Sequence, residues 1–501
     1  MKVLITGGAG FIGSHLCKSF LQKGHKVIVL DDFSTGSYTN IAPFVEDRGN
    51  FKLIVDSVLN QSIVEELVKE SDVVFHLASV VGVNLVLQEP IKTIKTIVEG
   101  TSNVLLYASR YRKKVLITSS SEVYGKGVSI PFSENDDTVQ GPTSSCRWAY
   151  ANAKAMDEFL ALAYWQEEKL PVICVRLFNV VGPRQSGMYG MVVPRFVSLA
   201  LKDEPIVVYG DGYQTRSFGY VEDVVDVLSK LIDCDEALGR VINVGGAEEI
   251  SINDLALRIK GLSNSKSSIE HITYEEAYGS FGSSFEDMRR RVPNLSLVKK
   301  LIDFRSFSSL DSVILSVIDY YKNLRGVAMS FVVCAYYTDD EVYTEHSKNF
   351  IVSLQNLSVA YDIIEMNSLT DWYQGMQYKP TFLKEMLEKH SPHSIVYVDI
   401  DAVFCKYPLF FDILDRKENI VLSAHILDHS KYRRNRHKPE LLSGTLFLKN
   451  CDRTKSLVDD WIAECKKDPK LWDQRALASV IKKGDLTVLP EEYCVIFDYM
   501  S

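Results

Sequence analysis

A short apolar run, Lys2 to Thr6, empties at once into Thr6-Gly7-Gly8-Ala9-Gly10-Phe11-Ile12-Gly13. Glycines at 7, 10 and 13 directly after a β-branched strand leave few folds open. The first lets the chain turn tightly, the second lets backbone approach a pyrophosphate, and the third lets the next helix pack on the sheet. A diphosphate then sits on the helix N-terminus, where free N–H groups and the dipole favour anions. The second apolar run ends at Asp31, where an acid binds ribose hydroxyls and repels a 2′-phosphate. Bound NAD, rather than NADP, is the expectation.

The first half of the chain continues in the same manner. Near-continuous apolar runs at Val3–Thr6, Lys26–Leu30, Phe51–Val55, Val73–Leu77, Lys114–Thr118 and Val172–Leu177 alternate with helical segments. Strands buried on both faces of a parallel sheet read this way, so an α/β, Rossmann-type doubly wound sheet follows. From about Asn179 to Phe307 the pattern loosens into turns such as Gly182-Pro183 and Gly210-Asp211-Gly212, which suits a substrate-binding lobe. An amphipathic helix near Leu310–Asn323 closes this unit. A fresh strand begins at Ser330-Phe331-Val332-Val333-Cys334-Ala335, followed by a helix near Val342–Leu357, a strand at Tyr361–Glu365, a helix near Pro380–His390 and a strand at Ser394–Asp399. With 501 residues, two domains are expected, 1–325 and 330–501, parting near Arg325-Gly326.

Composition narrows the classes. A net charge of -9 argues against a general nucleic-acid coat, though not against a local anion site. The nine cysteines show no C-x-x-C pair and read as reduced thiols. No leader precedes the first strand, and the longest apolar stretch, Val73–Leu87, is interrupted by His76, Ser79 and Asn84. A cytoplasmic protein with no membrane partner is expected.

Tyr150 and Lys154, in Arg147-Trp148-Ala149-Tyr150-Ala151-Asn152-Ala153-Lys154, share one helix face. A nearby ammonium favours the phenolate, so the tyrosine can serve as a base. They follow Ser119-Ser120-Ser121-Glu122-Val123-Tyr124-Gly125 at the end of a strand, where a hydroxyl can meet the same substrate oxygen. With Leu177-Phe178-Asn179-Val180-Val181-Gly182-Pro183-Arg184-Gln185 and Tyr209-Gly210-Asp211-Gly212-Tyr213-Gln214-Thr215-Arg216-Ser217-Phe218, residues 1 to about 320 resemble the extended short-chain dehydrogenases that act on nucleotide sugars. The resemblance implies that Tyr150 takes the proton of the sugar 4-hydroxyl while hydride passes to tightly bound NAD. It implies that Lys154 holds the nicotinamide ribose and tunes Tyr150, that Ser120 positions the hydroxyl, and that Asn179 and Arg216 contact the diphosphate of a UDP-sugar. Gly7, Gly10, Phe11, Ile12, Gly13, Asp31, Asp56 and Leu77, with Lys154, are the cofactor-binding candidates. Decarboxylases of this family use a glutamate in the S-E-V-Y-G segment and an arginine near the domain's end; Glu122 and Arg291 stand at matching places. Their other reading is a structural ion pair or a phosphate contact. The stretch Gly182 to Pro194 looks epimerase-like, and Ser121-Glu122 lacks the aspartate of the dehydratases. The expected order is 4-epimerase, then decarboxylase, then dehydratase. Dimers are usual in the family, so a homodimer is expected.

In the second half, Ile395-Val396-Tyr397-Val398-Asp399-Ile400-Asp401 sets two carboxylates at the end of a strand. Alternate residues of an extended chain face one side, so Asp399 and Asp401 are expected to converge on one divalent cation, Mn or Mg, that neutralises a leaving diphosphate. With Tyr378-Lys379-Pro380-Thr381-Phe382-Leu383 upstream and Leu442-Ser443-Gly444-Thr445-Leu446-Phe447-Leu448 and Trp472-Asp473-Gln474 downstream, Phe331 to Asp498 resembles the GT-A nucleotide-diphospho-sugar transferases. That resemblance implies Lys379 near the diphosphate, and Asp473 and Gln474 lining the sugar or acceptor pocket. Many such enzymes add a metal ligand, often histidine, beyond the final strand. This chain ends at Ser501 without showing one, so the domain is expected to be trimmed, completed by another chain, or inactive. The basic run Lys431 to Lys438 reads first as a solvated loop, and second as a loop for donor phosphates or an anionic acceptor, a nucleic acid included.

Together the halves point to a bifunctional enzyme that makes an unusual sugar nucleotide and transfers the sugar to an unidentified acceptor. The competing reading is one activity, with the second domain only binding sugar nucleotide or docking a partner.

Overall fold

The computed structural model describes residues 1–501 except 46, 48, 83–85, 87–88, 188–189, 280–286, 305–306, 325–330, 357–358, 367–371, 403, 405–407, 409–410, 412–413, 416–418, 428–439, 469–470, 483 and 490–501. The chain forms two compact units, Met1–Gly326 and Val327–Ser501.

The first unit is built on a seven-stranded sheet. Its strands run, from one edge to the other, Val241–Gly245, Val172–Phe178, Lys114–Ser120, Val73–His76, Lys2–Thr6, Lys26–Asp31 and Phe51–Val55. Every pairing is parallel. The strands are largely apolar because helices cover both faces; Val3, Leu4, Ile5, Val115, Leu116, Val172 and Ile173 are fully buried. The order reverses between Lys2–Thr6 and Val73–His76, which opens a crevice beyond their C-terminal ends. Val241–Gly245 escaped the sequence reading, since a five-residue run ending in glycine within a turn-rich stretch carries little periodicity. The lobe is assembled from short strands. Thr215–Ser217 lies between Glu249–Ser251 and Arg290–Arg291, and Ile206–Tyr209 pairs with Ile269–Ile272. Helix Leu310–Leu324 buries Leu310, Val313, Ile314, Val317 and Ile318 against this layer.

Contact between the first strand and its helix is close. Gly7 turns at φ +71, and a Cβ there would lie 2.9 Å from the Ala78 nitrogen. A Cβ on Gly13 would lie 2.2 Å from the Gly7 carbonyl oxygen. Helix Phe11–Gln22 therefore reaches the sheet only with glycine at 13.

The second unit carries a mixed six-stranded sheet in the order Tyr361–Met366, Phe331–Thr338, Ser394–Val398, Glu440–Leu448, Leu422–Leu427 and Leu486–Val488. The first three are parallel, while Glu440–Leu448 runs antiparallel to both of its neighbours. One face packs on helices Trp372–Lys389, Asp452–Lys467 and Asp473–Val480, burying Phe382, Leu387, Trp461 and Leu477. Pro380, read from sequence as a helix start, lies inside the helix. The strand expected to reach Asp399 stops at Val398.

Gly13→Ala is expected to destabilise the first unit by about 1–3 kcal/mol through overpacking. Gly261→Ala, in helix Ile252–Ser263 with nothing within 4 Å of the new methyl, should instead stabilise it by about 0.5–1 kcal/mol. Urea unfolding of both variants distinguishes them; equal midpoints would refute the packing argument.

Candidate active site

Each parallel strand of the first sheet hands its next residues to the same edge. Gly7 to Gly13 follow Lys2–Thr6, Asp56 follows Phe51–Val55, and Leu77 follows Val73–His76. Asp31 and Ser120 are the last residues of their own strands. Helix Phe11–Gln22 starts at Gly10 without a side-chain cap. A Cβ on Gly10 would have one neighbour within 4 Å, the Gly7 carbonyl oxygen at 3.1 Å, so the space before the helix is open. An open, uncapped helix N-terminus at the crevice fits a dinucleotide diphosphate. Asp31 accepts hydrogen bonds from the Ala9 and Phe33 amides at 2.9 and 2.8 Å, which ties it to the glycine turn. Burial pushes its carboxyl up to about 6. Asp56 accepts from the Ser57 amide at 2.7 Å and from Asn60 at 2.9 Å. Leu77 donates its amide to the Thr6 carbonyl at 3.1 Å.

Ser120 accepts the Glu122 amide at 3.2 Å and hydrogen-bonds the Tyr150 phenol. Serine and tyrosine are thus brought together. Lys154 departs from expectation. Its ammonium donates to the Thr118 carbonyl at 2.9 Å and meets Asp157 at 3.3 Å. Burial pushes the Tyr150 phenol well up, with Glu122 and Asp157 adding to the rise and Ser120 opposing it. The lysine's charge thus meets a carbonyl and a carboxylate one turn along its own helix. Behind the segment, Ser119 and Arg176 both bind the buried Glu158, the first at 2.5 Å and the second at 2.7 and 2.9 Å.

Glu122, on the one-turn helix Ser121–Tyr124, meets Arg291 through one oxygen and Arg147 through the other, the latter at 2.7 Å. Burial works against its charge, but the two guanidinium groups outweigh it and hold the carboxyl at about 2. Arg216 pairs in register with Arg291 on the adjacent strand. It binds Asp287 at 2.5 Å and the Met288 carbonyl at 2.7 Å. Burial, then the Arg291 charge, lower Arg216 to about 10. Asn179 donates to the Ser217 carbonyl at 3.0 Å, which anchors it to the strand bearing Arg216. Sequence reasoning missed Arg147 and Asp287. Arg147 stood in the quoted tyrosine segment, but only the tertiary fold turns it towards Glu122.

Three observations decide the family. Residues 3–245 match the model of the NAD dependent epimerase/dehydratase family. A UDP-N-acetyl-alpha-D-glucosaminuronate decarboxylase of Bacillus cytotoxicus is 40% identical over 327 residues, 65% of this chain and 99% of that protein. UDP-glucuronic acid decarboxylase 1 of Xenopus tropicalis is 35% identical over 64% of this chain and 72% of its own length. The chain belongs to the NAD dependent epimerase/dehydratase family. Among solved structures similar to this family member are Pal of Bacillus thuringiensis, 31% identical with a TM-score of 0.58, and a UDP-glucuronic acid 4-epimerase of Bacillus cereus in complex with UDP-glucuronic acid and NAD, 28% identical with a TM-score of 0.58. Each covers 65% of this chain and 100% of its own. Residues 332–497 match a second model, nucleotide-diphospho-sugar transferase.

That second unit has its own polar cluster. Lys379 is buried, with its ammonium 3.4 Å from both Asp399 and Asp473 and 3.2 Å from the Ser443 carbonyl. Ser443 donates to Asp473 at 2.7 Å, Tyr397 donates to Asp399 at 2.8 Å, and Lys379 stands 4.7 Å above the Tyr397 ring. Burial opposes the lysine's charge, but the two carboxylates prevail and hold the ammonium firmly protonated. Gln474 follows Asp473 in the first turn of helix Asp473–Val480. The argument that Asp399 and Asp401 converge as alternate strand residues fails, because the strand ends at Val398 and 400–401 form a turn. Asp399 is held by Lys379 and Tyr397, and Asp401 is exposed. Among the described residues no three His, Cys, Asp or Glu side chains gather into a metal set. The run 431–438 and the chain end at 490–501 lie outside the described residues. Among those described, no helix is long and apolar enough to cross a membrane.

Two measurements check this account. His76, bonded to Thr6 at 2.8 Å and Thr101 at 3.1 Å, is lowered to about 3 by burial and the Lys154 charge. The unfolded chain takes up this proton below about pH 6.5 and the folded one does not, so stability falls as pH drops from there towards 3. His76→Gln should reduce that slope by about 1.4 kcal/mol per pH unit in denaturant titrations between pH 4 and 6. Separately, Lys379→Met leaves two carboxylates without their cation and should cost the second unit about 3–5 kcal/mol, read by thermal unfolding.

Proposed function

We propose that the first unit decarboxylates a UDP-hexuronic acid through NAD-dependent oxidation at C4, and that the second transfers a sugar from a nucleotide diphosphate. The observation that carries the first claim is the half-buried Glu122 held between Arg291 and Arg147, next to Ser120 and Tyr150. The serine and tyrosine serve oxidation at C4 of any such sugar; a cluster of guanidinium groups beside them is the chemistry that receives a sugar carboxylate, and so supports a hexuronic acid as substrate. The 40% identity to a UDP-sugar decarboxylase across nearly its whole length supports this order over the epimerase-first ranking from sequence. The second reading, 4-epimerisation, keeps the support of the structural likeness to the UDP-glucuronic acid 4-epimerase.

When bound, NAD supplies the hydride acceptor at C4 and later the donor. Gly7, Gly10, Phe11, Ile12 and Gly13 would hold its diphosphate, Asp31 the adenosine ribose, and Asp56 and Leu77 the walls around it. Tyr150 takes the proton of the 4-hydroxyl, which Ser120 orients. Burial favours the protonated phenol, so positive charge beside it is what makes it a base. Rotation of Lys154 away from Asp157 would provide part of that charge. With C4 oxidised, the C5–C6 bond breaks, its electron pair moves to the C4 oxygen, carbon dioxide leaves, and C5 takes a proton. Hydride and proton then return to C4 and its oxygen, giving a UDP-pentose. Arg216 and Asn179 would meet the diphosphate.

For the second unit, the family match and the Lys379–Asp399–Asp473 cluster support nucleotide-sugar transfer, with Lys379 facing a diphosphate and Asp473 and Gln474 a sugar. A homodimer is supported by apolar side chains left exposed on two helices of the first unit: Ile91 and Ile94 on Pro90–Arg110, Met156 and Phe159 on Ala149–Glu168.

Purified protein incubated without added NAD is expected to release carbon dioxide and a pentose nucleotide from UDP-glucuronate or its 2-acetamido counterpart, followed by mass spectrometry. An isobaric product with no gas evolution would transfer the assignment to the epimerase.

A further inference from the structure

Nothing in the sequence motifs singles out Arg147, yet the fold ties it to the site as firmly as Arg291. It lies on the one-turn helix Cys146–Trp148, directly ahead of helix Ala149–Glu168, which carries Tyr150. Only 6% of it is exposed. Its guanidinium stands 5.3 Å above the ring of Trp148, itself buried. The tryptophan is confined in turn, since a Cβ on Gly141 would come within 2.0 Å of its Nε1. A side chain held this way has little freedom to leave the Glu122 oxygen that it meets at 2.7 Å.

We propose that Arg147 is a positioning residue for decarboxylation, clamping Glu122 against Arg291 and supplying the surplus positive charge that admits the sugar carboxylate. This rests on the decarboxylase reading given above. Two features of the geometry lead to it. First, each oxygen of Glu122 has its own guanidinium, so the plane of the carboxylate is set from two directions. With Arg147 gone, Glu122 would pivot about Arg291 alone, next to the reacting sugar.

Second, the charges around the site cancel without it. Arg291 and Arg216 face Glu122 and Asp287, two cations against two anions. Arg147 makes the cluster net positive. A hexuronate carboxylate entering a buried neutral cluster would lose its hydration with no compensating charge, whereas one entering a positive cluster is paired on arrival. Departure of carbon dioxide removes that negative charge as the C5–C6 electron pair moves to the C4 oxygen. Pairing of the carboxylate therefore serves binding, whereas the orientation of Glu122 that Arg147 sets acts on the loss of carbon dioxide and not on the preceding oxidation, in which the reacting atoms are at C4. Glu122 faces Arg147 and Tyr150 from the helix side and Arg291 and Arg216 from the strand side, with Asp287 beyond them on Arg216. Loss of one of its two contacting cations moves its titration towards the ordinary carboxylate range.

The test compares Arg147→Gln and Arg147→Lys with the wild-type full chain on a UDP-hexuronic acid. Formation of reduced nicotinamide in the first turnover reports oxidation at C4, and released carbon dioxide reports the second step. Arg147→Gln should keep oxidation within a fewfold of wild type and lose about a hundredfold in carbon dioxide release. The acid limb of its release profile should rise by more than about one pH unit. Arg147→Lys should recover part of the loss, since a charge returns without the two-pronged geometry. Unchanged release and an unchanged acid limb in Arg147→Gln would overturn the proposal while leaving the decarboxylase reading in place. Equal loss of both steps in both variants, with lowered melting temperatures, would also overturn it and leave Arg147 a merely structural residue. Wild type that gives an isobaric product and no carbon dioxide would overturn the decarboxylase reading and this proposal together.

Discussion

An all-parallel sheet cannot turn back on itself by hairpins, so consecutive strands of the seven-stranded sheet are joined by crossovers and their C-terminal ends all emerge on one edge. The glycine turn, Asp31, Asp56, Leu77, Ser120 and Asn179 are distant in sequence, but each stands at or just past such an end. The edge becomes a crevice because the strand order reverses beside Lys2–Thr6. Glycine at 13 lets the first helix sit close enough to aim its uncapped N-terminus into that crevice. Cofactor and substrate candidates are therefore consequences of one topology, and side-chain chemistry acts on a stage already set.

Charge then distinguishes what that stage can do. The serine–tyrosine pair is common ground for oxidation at C4, whatever follows. Burying Glu122 would be costly without partners, and two guanidinium groups reverse the cost so strongly that the carboxyl stays ionised at about 2. Arg216, desolvated by burial and crowded by Arg291, is lowered as well, to about 10. An acid and a base both lowered by the same Arg291 charge mark a cluster rich in positive charge, which suits anions.

The second unit handles charge differently. Its buried lysine draws together a carboxylate from the end of a strand, another from the start of a helix, and the hydroxyl and carbonyl of Ser443. The rings of Tyr336 and Tyr397 pack against each other beside this cluster, and burial pushes the Tyr336 phenol up to about 12. Asp399 thus serves first as a counter-ion within the fold. The spacing of two aspartates does not by itself make them partners, because the turn after Val398 ends the alternation that would have aimed both to one side.

How much was legible in the sequence follows from the range of the interactions involved. The glycine turn, the acid at 31 and the apolar strands are written locally: each depends on a few consecutive residues and on a periodicity that survives without the rest of the chain. The same holds for Tyr150 and Lys154 sharing a helix face. What local pattern could not convey is where a charged side chain spends its charge. Lys154 turns to Thr118 and Asp157, Lys379 to Asp399 and Asp473, and Arg147 to Glu122, each choice depending on which distant segments meet or on how deeply the group is buried. The sequence by itself determined a doubly wound nucleotide-binding unit followed by a second α/β unit. Only the tertiary structure decided which cations face which carboxylates, because long-range ion pairs are selected by packing and desolvation and not by spacing along the chain.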